Sequence, residues 1–230
     1  MHGPDATASD QATVLERLGH DLIEFGLLLM GAAHPSRVSL QDLSDGTLIL
    51  LGCGPDFWQA FTASPEAKDG RADPVDRWSL RVVTRLADRY GAVAYFPFGG
   101  PPYAPFINWA TRSGRSHSSP TGMLVHDTVG LMISFRGALH FPTELPLPDC
   151  ADETPCNTCS ARPCTTACPV GALSDTHPYD LATCHAYLDT VAGQDCMQNG
   201  CAARRACPIS AGANRLPAQS ALHMKAFHPK

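Results

Sequence analysis

The chain has 230 residues, of which 44% are hydrophobic, and a formal net charge of -5 at pH 7. This length allows one sizeable domain with a hydrophobic core and a smaller second domain. No segment approaches the roughly 18 uninterrupted apolar residues of a membrane-spanning helix. The acidic balance lacks the basic footprint of nucleic-acid binding, and the N-terminal segment lacks the features of a secretory signal. We therefore expect a cytoplasmic protein that acts on neither membranes nor nucleic acids.

The first two thirds of the chain alternate helix and strand patterns. Apolar residues at helical spacing predict a helix over 11–25, and apolar runs predict strands over 26–33 and 47–54, with a helix beginning in 55–61. Beyond these, the pattern predicts a polar loop, a helix that stops at a glycine, a strand, an irregular loop and one or two further strands that could form a hairpin. These segments lie at 64–74, 76–90, 92–98, 99–105, 123–127 and 129–141.

The cysteines divide the chain into two predicted domains. Nine of the ten cysteines lie from Cys150 onward, and only Cys53 precedes them. A disulfide framework is not expected in a reducing compartment, so this density indicates metal binding. We predict an α+β fold with a substrate or cofactor domain over residues 1–148 and a small metal-binding domain over residues 149–230.

The thiols of the second domain form two blocks of four, and each block closes on Cys-Pro. This pattern is typical of a pair of cubane 4Fe–4S clusters. A cube takes one thiolate per iron, and a short loop reaches three corners more readily than four. The fourth ligand is therefore expected from the other block, as in two-cluster ferredoxins. The blocks are Cys156-x2-Cys159-x4-Cys164-x3-Cys168-Pro169 and Cys184 with Cys196-x4-Cys201-x5-Cys207-Pro208.

The spacing thus predicts crossed ligation. One cluster would be held by Cys156, Cys159, Cys164 and Cys207, and the other by Cys168, Cys184, Cys196 and Cys201.

Other interpretations of these cysteines remain open. Two structural zinc sites would also use four thiolates each, although zinc ribbons usually show paired C-x2-C knuckles. The gaps are longer than in the bacterial ferredoxin run, so one position could be a non-ligand that Cys150 replaces. Cys53 is more typical of a small core residue. Arg204 and Arg205, between two of the expected ligands, could offset the negative charge of a cluster.

Four segments of this chain resemble epoxyqueuosine reductase. In that family the first cysteine run also ends in Cys-Pro before a small-residue helix start, an isolated cysteine is followed by an aromatic residue, and a glycine- and aromatic-rich strand pair precedes the first cysteine. The segments are CNTCSARPCTTACPVGAL (156–173), YDLATCHAYL (179–188), CMQNGCAARRACP (196–208) and VGLMISFRGALHFPTELPLP (129–148).

The resemblance implies a fold and an activity. That family, like the reductive dehalogenases, joins a bacterial-ferredoxin-like two-cluster domain to a nitroreductase-like α/β layer that holds a cobalamin. By resemblance, two 4Fe–4S clusters would pass single electrons from an external donor, such as flavodoxin, ferredoxin or a reductase, to a corrinoid or other small molecule on the N-terminal domain. This would make the chain an iron–sulfur oxidoreductase. A non-catalytic electron carrier and a cobalamin-processing protein are the alternatives.

A stiff loop in the N-terminal domain is the candidate cofactor site. FPFGGPPYAPF (96–106) combines glycines, prolines and aromatic residues, and a planar corrin or flavin could lie against such a wall. Ordinary loop packing is the competing explanation. Arg136 could pair with a ligand anion, or with a surface carboxylate. The candidate cofactor-binding residues are Phe98, Gly99, Gly100, Tyr103 and Arg136.

Overall fold

A computed structural model describes residues 8–38, 40, 42–149 and 153–229 of the chain. The chain forms two compact units. Unit 1 contains the described residues of Met1–Arg115 and Ser134–Asp152, and unit 2 contains those of Ser116–Ile133 and Glu153–Lys230. The prediction from sequence ends the first domain at residue 148, whereas the structure assigns residues 116–133 to the unit that carries the clustered cysteines.

The elements mix helices with antiparallel strands, which confirms the α+β class. The strands are β1 (Leu27–Ala33), β2 (Thr47–Cys53), β3 (Val93–Tyr95), β4 (Ser116–Ser118), β5 (Leu124–His126) and β6 (Phe135–Phe141). The helices are α1 (Ala8–Glu24), α2 (Phe57–Ala63), α3 (Pro74–Tyr90), α4 (Phe106–Arg112), α5 (Leu181–Leu188), α6 (Gln194–Asn199), α7 (Ala202–Ala206) and α8 (Pro217–Phe227). Short 3-10 helices lie at Pro155–Asn157, Pro163–Thr165 and Pro208–Ala213.

The described strands of unit 1 form a four-stranded antiparallel sheet in the order β1-β2-β6-β3. Every residue of β2 is buried. Both faces of this strand are therefore covered, which explains why its sequence is a continuous apolar run rather than an alternation. Helix α1 packs against β1, and α3 packs against β6 and β3.

Helix α3 supplies the aromatic centre of the unit 1 core. Trp78 is 2% exposed, and the ring of Phe57 meets it edge-on with the centroids 5.2 Å apart. The helix ends at Gly91, whose φ of 64° is the left-handed conformation that favours glycine at a helix C-terminus. The predicted helix and its glycine stop are confirmed.

The predicted hairpin between segments 123–127 and 129–141 is wrong. β5 pairs with β4 in a two-stranded sheet of unit 2, whereas β6 pairs with β2 and β3 in unit 1. After β5 the chain turns at Gly130, which exchanges backbone hydrogen bonds with His126. The apolar run of 129–133 thus belongs to the core of unit 2 and is not a strand.

Smaller differences concern short elements. The strand predicted over 92–98 is confined to β3, and α4 and β4 were not predicted. The sequence of β4 is Ser-His-Ser, which carries no apolar signal for a strand. Of the helices that the structure describes, none has the length and apolar character needed to span a bilayer.

A bidentate ion pair holds the loop before α3 against that helix. Arg81 donates hydrogen bonds of 2.6 and 2.9 Å to the two carboxylate oxygens of Glu66, whose side chain is 11% exposed. The hydrogen bond with Arg81 is the main cause that lowers the pKa of Glu66 to about 2. This pair adds stability while the carboxyl group is ionised.

We predict that Glu66→Gln lowers the free energy of unfolding of unit 1 by about 1 kcal/mol at neutral pH. Because the pKa of Glu66 is lower in the folded state, its contribution is present above the unfolded value of about 4.3 and is lost as the pH falls towards 2. Urea unfolding followed by tryptophan fluorescence measures this, since Trp58, Trp78 and Trp109 all lie in unit 1.

The matched control is Glu24→Gln, which removes an exposed carboxyl group at the end of α1. This variant should have the same free energy of unfolding as the wild type at pH 7 and at pH 2.5. An equal deficit of Glu66→Gln at pH 7 and pH 2.5 would contradict the assignment.

Candidate metal centres

Unit 2 presents its cysteines from short, tightly turned elements. In the first block, Cys156 and Cys164 lie on the 3-10 helices Pro155–Asn157 and Pro163–Thr165, and each of these helices begins with a proline that fixes the backbone. In the second block, Cys184 lies on α5, Cys196 lies on α6, and Cys201 and Cys207 flank α7. Such short elements set the thiols at defined positions without a large scaffold.

Four thiols line one cavity of about 210 Å³. We call them the first thiol group. Three come from the first block, and the fourth comes from the end of the second block. They are Cys156, Cys159, Cys164 and Cys207. The structure therefore brings together the four cysteines that the spacing assigns to one site.

The first cavity has an apolar wall. Val125 and Leu131 are each 1% exposed, and they pack with Cys164 in one buried cluster to which Cys156 and Cys207 also belong. This burial is the main cause that raises the pKa of the Cys156 and Cys164 thiols, and the charges of neighbouring thiols raise it further. The wall thus keeps water away from one side of the site.

The remaining four clustered cysteines form a second thiol group. Burial again comes first among the causes that raise the pKa of the Cys184 thiol, and the charges of Cys201, Cys168 and Cys196 add to it. Cys168 comes from the first block, whereas the other three come from the second. The second thiol group is Cys168, Cys184, Cys196 and Cys201.

Polar groups surround the second thiol group. Burial raises the pKa of the Cys196 thiol, whereas the backbone N–H of Ala202 and the positive charge of Arg205 lower it. Arg205 is also bonded to Asp195 and to the carbonyl oxygen of Gly200. These contacts hold the ion pair of Arg205 and Asp195 near the thiols, and the negative charge of Asp195 raises the pKa of Cys196 more than the positive charge of Arg205 lowers it.

A segment outside the cysteine blocks closes the first cavity. The backbone N–H of Leu131 donates to the Ser210 hydroxyl at 3.0 Å, and Arg204 donates to the Leu131 carbonyl at 2.7 Å. Arg215 donates to the Met132 carbonyl at 2.7 Å. Arg204 is therefore a structural tie within unit 2. The sequence did not predict that this segment would form a wall of the cavity. The signal that it carries is an apolar run without the alternation of a strand.

The donor set of the first cavity consists of four thiols. Among the described residues, no set of three or more His, Cys, Asp or Glu side chains converges closely enough for a single metal ion. Zinc needs its four thiolates about 2.3 Å from one ion. A cubane cluster assigns each thiolate to a different iron, so its ligands surround a larger body. Four thiols around the first cavity match the cubane donor set.

The candidate cofactor residues of unit 1 lie in two places. Phe98 stacks obliquely on Phe96, with ring centroids 5.2 Å apart, and Tyr103 is 65% exposed. Gly99 has a φ of 85°, and a Cβ at Gly100 would lie 2.7 Å from the Tyr103 ring. Both glycines are therefore required by the turn itself, and the Tyr103 ring is exposed on this loop.

Arg136 is engaged elsewhere. A β-bulge between Leu51 and Gly52 leaves Arg136 without a register partner in β2, and its side chain is bonded to Asp76 of α3 at 3.4 Å. Bulges of this kind redirect a side chain. Two partners were expected for Arg136, a ligand anion or a carboxylate of the protein. The structure shows the carboxylate.

One of the two remaining cysteines stands apart from the thiol groups. Cys53 is 2% exposed at the end of β2 in unit 1, as expected of a core residue. Cys150 lies outside the described residues. Comparison with known proteins finds no family model that matches the chain and no curated protein with a significant match. The resemblance to epoxyqueuosine reductase therefore stays a prediction, as do the nitroreductase-like and ferredoxin-like folds.

We predict that Gly130→Ala disrupts the first cavity. Gly130 has a φ of 56°, and a Cβ there would overlap the backbone nitrogen of Ser210. Gly122→Ala is the matched control, because Gly122 has a φ of 77° but no described atom within 4 Å of its Cβ position. Both changes strain the backbone, and only the first adds overlap, which typically costs about 1–3 kcal/mol.

Urea unfolding followed by far-ultraviolet circular dichroism measures this difference. Gly130→Ala should be less stable than Gly122→Ala by that amount. Equal losses in the two variants would show that residue 130 is not held against Ser210.

Proposed function

We propose that unit 2 is a ferredoxin-like electron-transfer module that binds two 4Fe–4S clusters with crossed ligation. The observation that supports this is the cavity lined by four thiols, of which Cys156, Cys159 and Cys164 come from the first block and Cys207 comes from the end of the second. A bound 4Fe–4S cluster would supply reversible one-electron transfer. The first thiol group would hold one cluster, and the second thiol group would hold the other.

The chain's own residues then have three tasks. The 3-10 helices and the short helices orient the thiols. Val125 and Leu131 exclude water from the first group, and the ion pair of Arg205 and Asp195 lies beside Cys196 of the second. Because neither block completes a group alone, the crossing links the two blocks through the metal. The folding of unit 2 is therefore coupled to metal binding.

Unit 1 is proposed to use the electrons. Under this proposal it is a nitroreductase-like layer that binds a corrinoid or another small molecule, and the chain is a cytoplasmic oxidoreductase that an external donor reduces. The exposed Tyr103 ring on the 96–106 loop supports a ligand that stacks on it. The second candidate is a non-catalytic electron carrier. The ion pair of Arg136 with Asp76 supports this second candidate, because it engages the positively charged side chain that was expected to bind a ligand anion.

We predict that protein purified without oxygen contains about eight irons and eight acid-labile sulfides per chain, and that Cys168→Ser and Cys207→Ser each retain about half. Chemical analysis measures the content, and electron paramagnetic resonance of the reduced protein identifies the cluster that is lost. Crossing requires the spectrum of Cys168→Ser to match that of Cys184→Ser, and the spectrum of Cys207→Ser to match that of Cys164→Ser.

Ligation within each block gives the opposite pairing. In that case Cys168→Ser would match Cys164→Ser, and the crossed assignment would be wrong. Near-stoichiometric zinc without sulfide would overturn the proposed function altogether.

Corrinoid binding separates the enzyme from the carrier. We predict that cobalamin added to the cluster-loaded protein shifts the corrin absorption bands and remains bound through gel filtration. Tyr103→Ala should weaken this binding, because it removes the exposed ring. Tyr95→Phe is the control, since the Tyr95 ring packs against Trp109 and not at the tip of the loop. If the wild type binds no corrinoid, the electron-carrier function is favoured.

A further inference from the structure

Unit 1 contains a cavity of about 630 Å³ that the proposed function does not use. Three parts of the unit line it. They are the end of β1 with the turn that follows (32–34 and 37–38), the end of α4 (112–114) and the segment after β6 (144–149). We call this space the unit 1 cavity. Its volume lies in the range of about 300–1,000 Å³ that is usual for sites of small ligands.

Hydrogen bonds hold the walls of the unit 1 cavity together. His34, which is 8% exposed, donates from Nε2 to the Leu145 carbonyl at 2.8 Å. A carbonyl oxygen can only accept, so this nitrogen carries the proton. The backbone N–H of Leu145 donates to the Thr47 hydroxyl at 2.8 Å, which ties segment 144–149 to β2. These bonds form without a ligand, so the cavity is preformed.

The lining carries two positive and two negative side chains. One of each sign forms an ion pair, in which Nη2 of Arg37 lies 2.7 Å from a carboxylate oxygen of Glu144. The other two are Arg112, the last residue of α4, and Asp149, and both are exposed. Within the described ranges of the chain, neither of these two side chains has a hydrogen bond or an ion pair. The cavity therefore keeps one guanidinium and one carboxylate available to a ligand.

The rest of the segment after β6 gives the cavity an apolar wall. Leu145 is buried, and Leu147 is half-buried together with Val38 of the opposite turn. Pro146 and Pro148 have no backbone N–H, so this part of the wall offers few donors. A ligand in the cavity thus meets two opposite charges beside an apolar surface.

We propose that the unit 1 cavity binds a dipolar ligand that carries a carboxylate, an ammonium group and an apolar side chain. This is the chemistry of an α-amino acid or a short peptide. Arg112 donates to the carboxylate, because its planar set of donors matches two carboxylate oxygens. Asp149 accepts hydrogen bonds from the ammonium group, and the apolar side chain packs against Val38 and Leu147. A ligand with a single charge leaves one of the two charged groups without a partner.

The test is isothermal titration calorimetry of the full chain with four related probes. L-leucine carries both charges, N-acetyl-L-leucine keeps only the carboxylate, and L-leucinamide keeps only the ammonium group. Leucyl-leucine carries both charges farther apart, so it distinguishes a peptide from an amino acid. We expect the tighter of the two dipolar probes to bind about tenfold more tightly than either singly charged probe. This is the effect of losing one hydrogen-bonded contact between charged groups.

Two variants assign the charges to the residues. Arg112→Gln should weaken the tighter dipolar probe about tenfold and leave the affinity for L-leucinamide unchanged, because that probe has no carboxylate. Asp149→Asn should weaken the dipolar probe by a similar factor and leave the affinity for N-acetyl-L-leucine unchanged. A general loss of structure would weaken all four probes and could not give this split.

Arg85→Gln is the matched control for Arg112→Gln. Arg85 is an exposed arginine of α3 in unit 1 and is not part of the lining. This variant should bind every probe as the wild type does. The inference is wrong if neither dipolar probe binds, if a singly charged probe binds as tightly as the dipolar ones, or if Arg85→Gln weakens binding as much as Arg112→Gln.

The inference does not rest on the proposed function. Arg112 and Asp149 belong to unit 1, and the eight clustered cysteines belong to unit 2. Both variants should therefore keep the iron and sulfide content of the wild type. A chain that binds the dipolar probe without iron and sulfide would overturn the proposed function alone, and a cluster-loaded chain that binds no probe would overturn this inference alone.

Discussion

The interleaving of the two cysteine blocks is the constraint on which unit 2 depends. Cys207 joins three thiols of the first block, and Cys168 joins three of the second. The surrounding helices are short, since α6 has six residues and α7 has five. Helices of this length are not stable alone in water. The order of unit 2 therefore comes from contacts between its segments, such as α6 with α8 and α7 with the 3-10 helix Pro163–Thr165. A metal group bridging the two blocks would add to them.

Unit 1 is stabilised in a different way. Its central strand β2 is buried on both faces, and Trp78 lies against Phe57 inside a continuous apolar core. Such a core folds through the hydrophobic effect and needs no metal. The two units are thus stabilised by different kinds of interaction. Unit 1 relies on a large apolar core, whereas unit 2 combines a smaller buried cluster with prolines and side-chain-to-backbone hydrogen bonds.

Local spacing predicted the thiol groups, and it could not predict the strand pairing. The Cys-Pro ends and the short gaps limit which thiols can reach one another, so the grouping was accessible from sequence. The strand pairing of segment 129–141 was not accessible from sequence, because its apolar residues belong to the cores of two different units. Leu131 packs in unit 2, while Leu139 lies in β6 of unit 1. An apolar run reports that a segment is buried, but it does not report which partner buries it. The same limit hid the wall formed by Val125 and Leu131.

The ion pair of Arg136 with Asp76 limits the kinds of ligand that unit 1 could bind at this position. Burial raises the pKa of Asp76, and the nearby charge of Arg136 opposes that rise. Among the described residues, the Nε of Arg136 has no hydrogen-bond partner, so the pair leaves one donor unused. An anionic ligand would have to displace Asp76 and leave its carboxylate half-buried without a partner, which is costly. If the 96–106 loop binds a ligand as proposed, the contact would therefore rely on the exposed face of the Tyr103 ring, which suits a planar group that stacks on it.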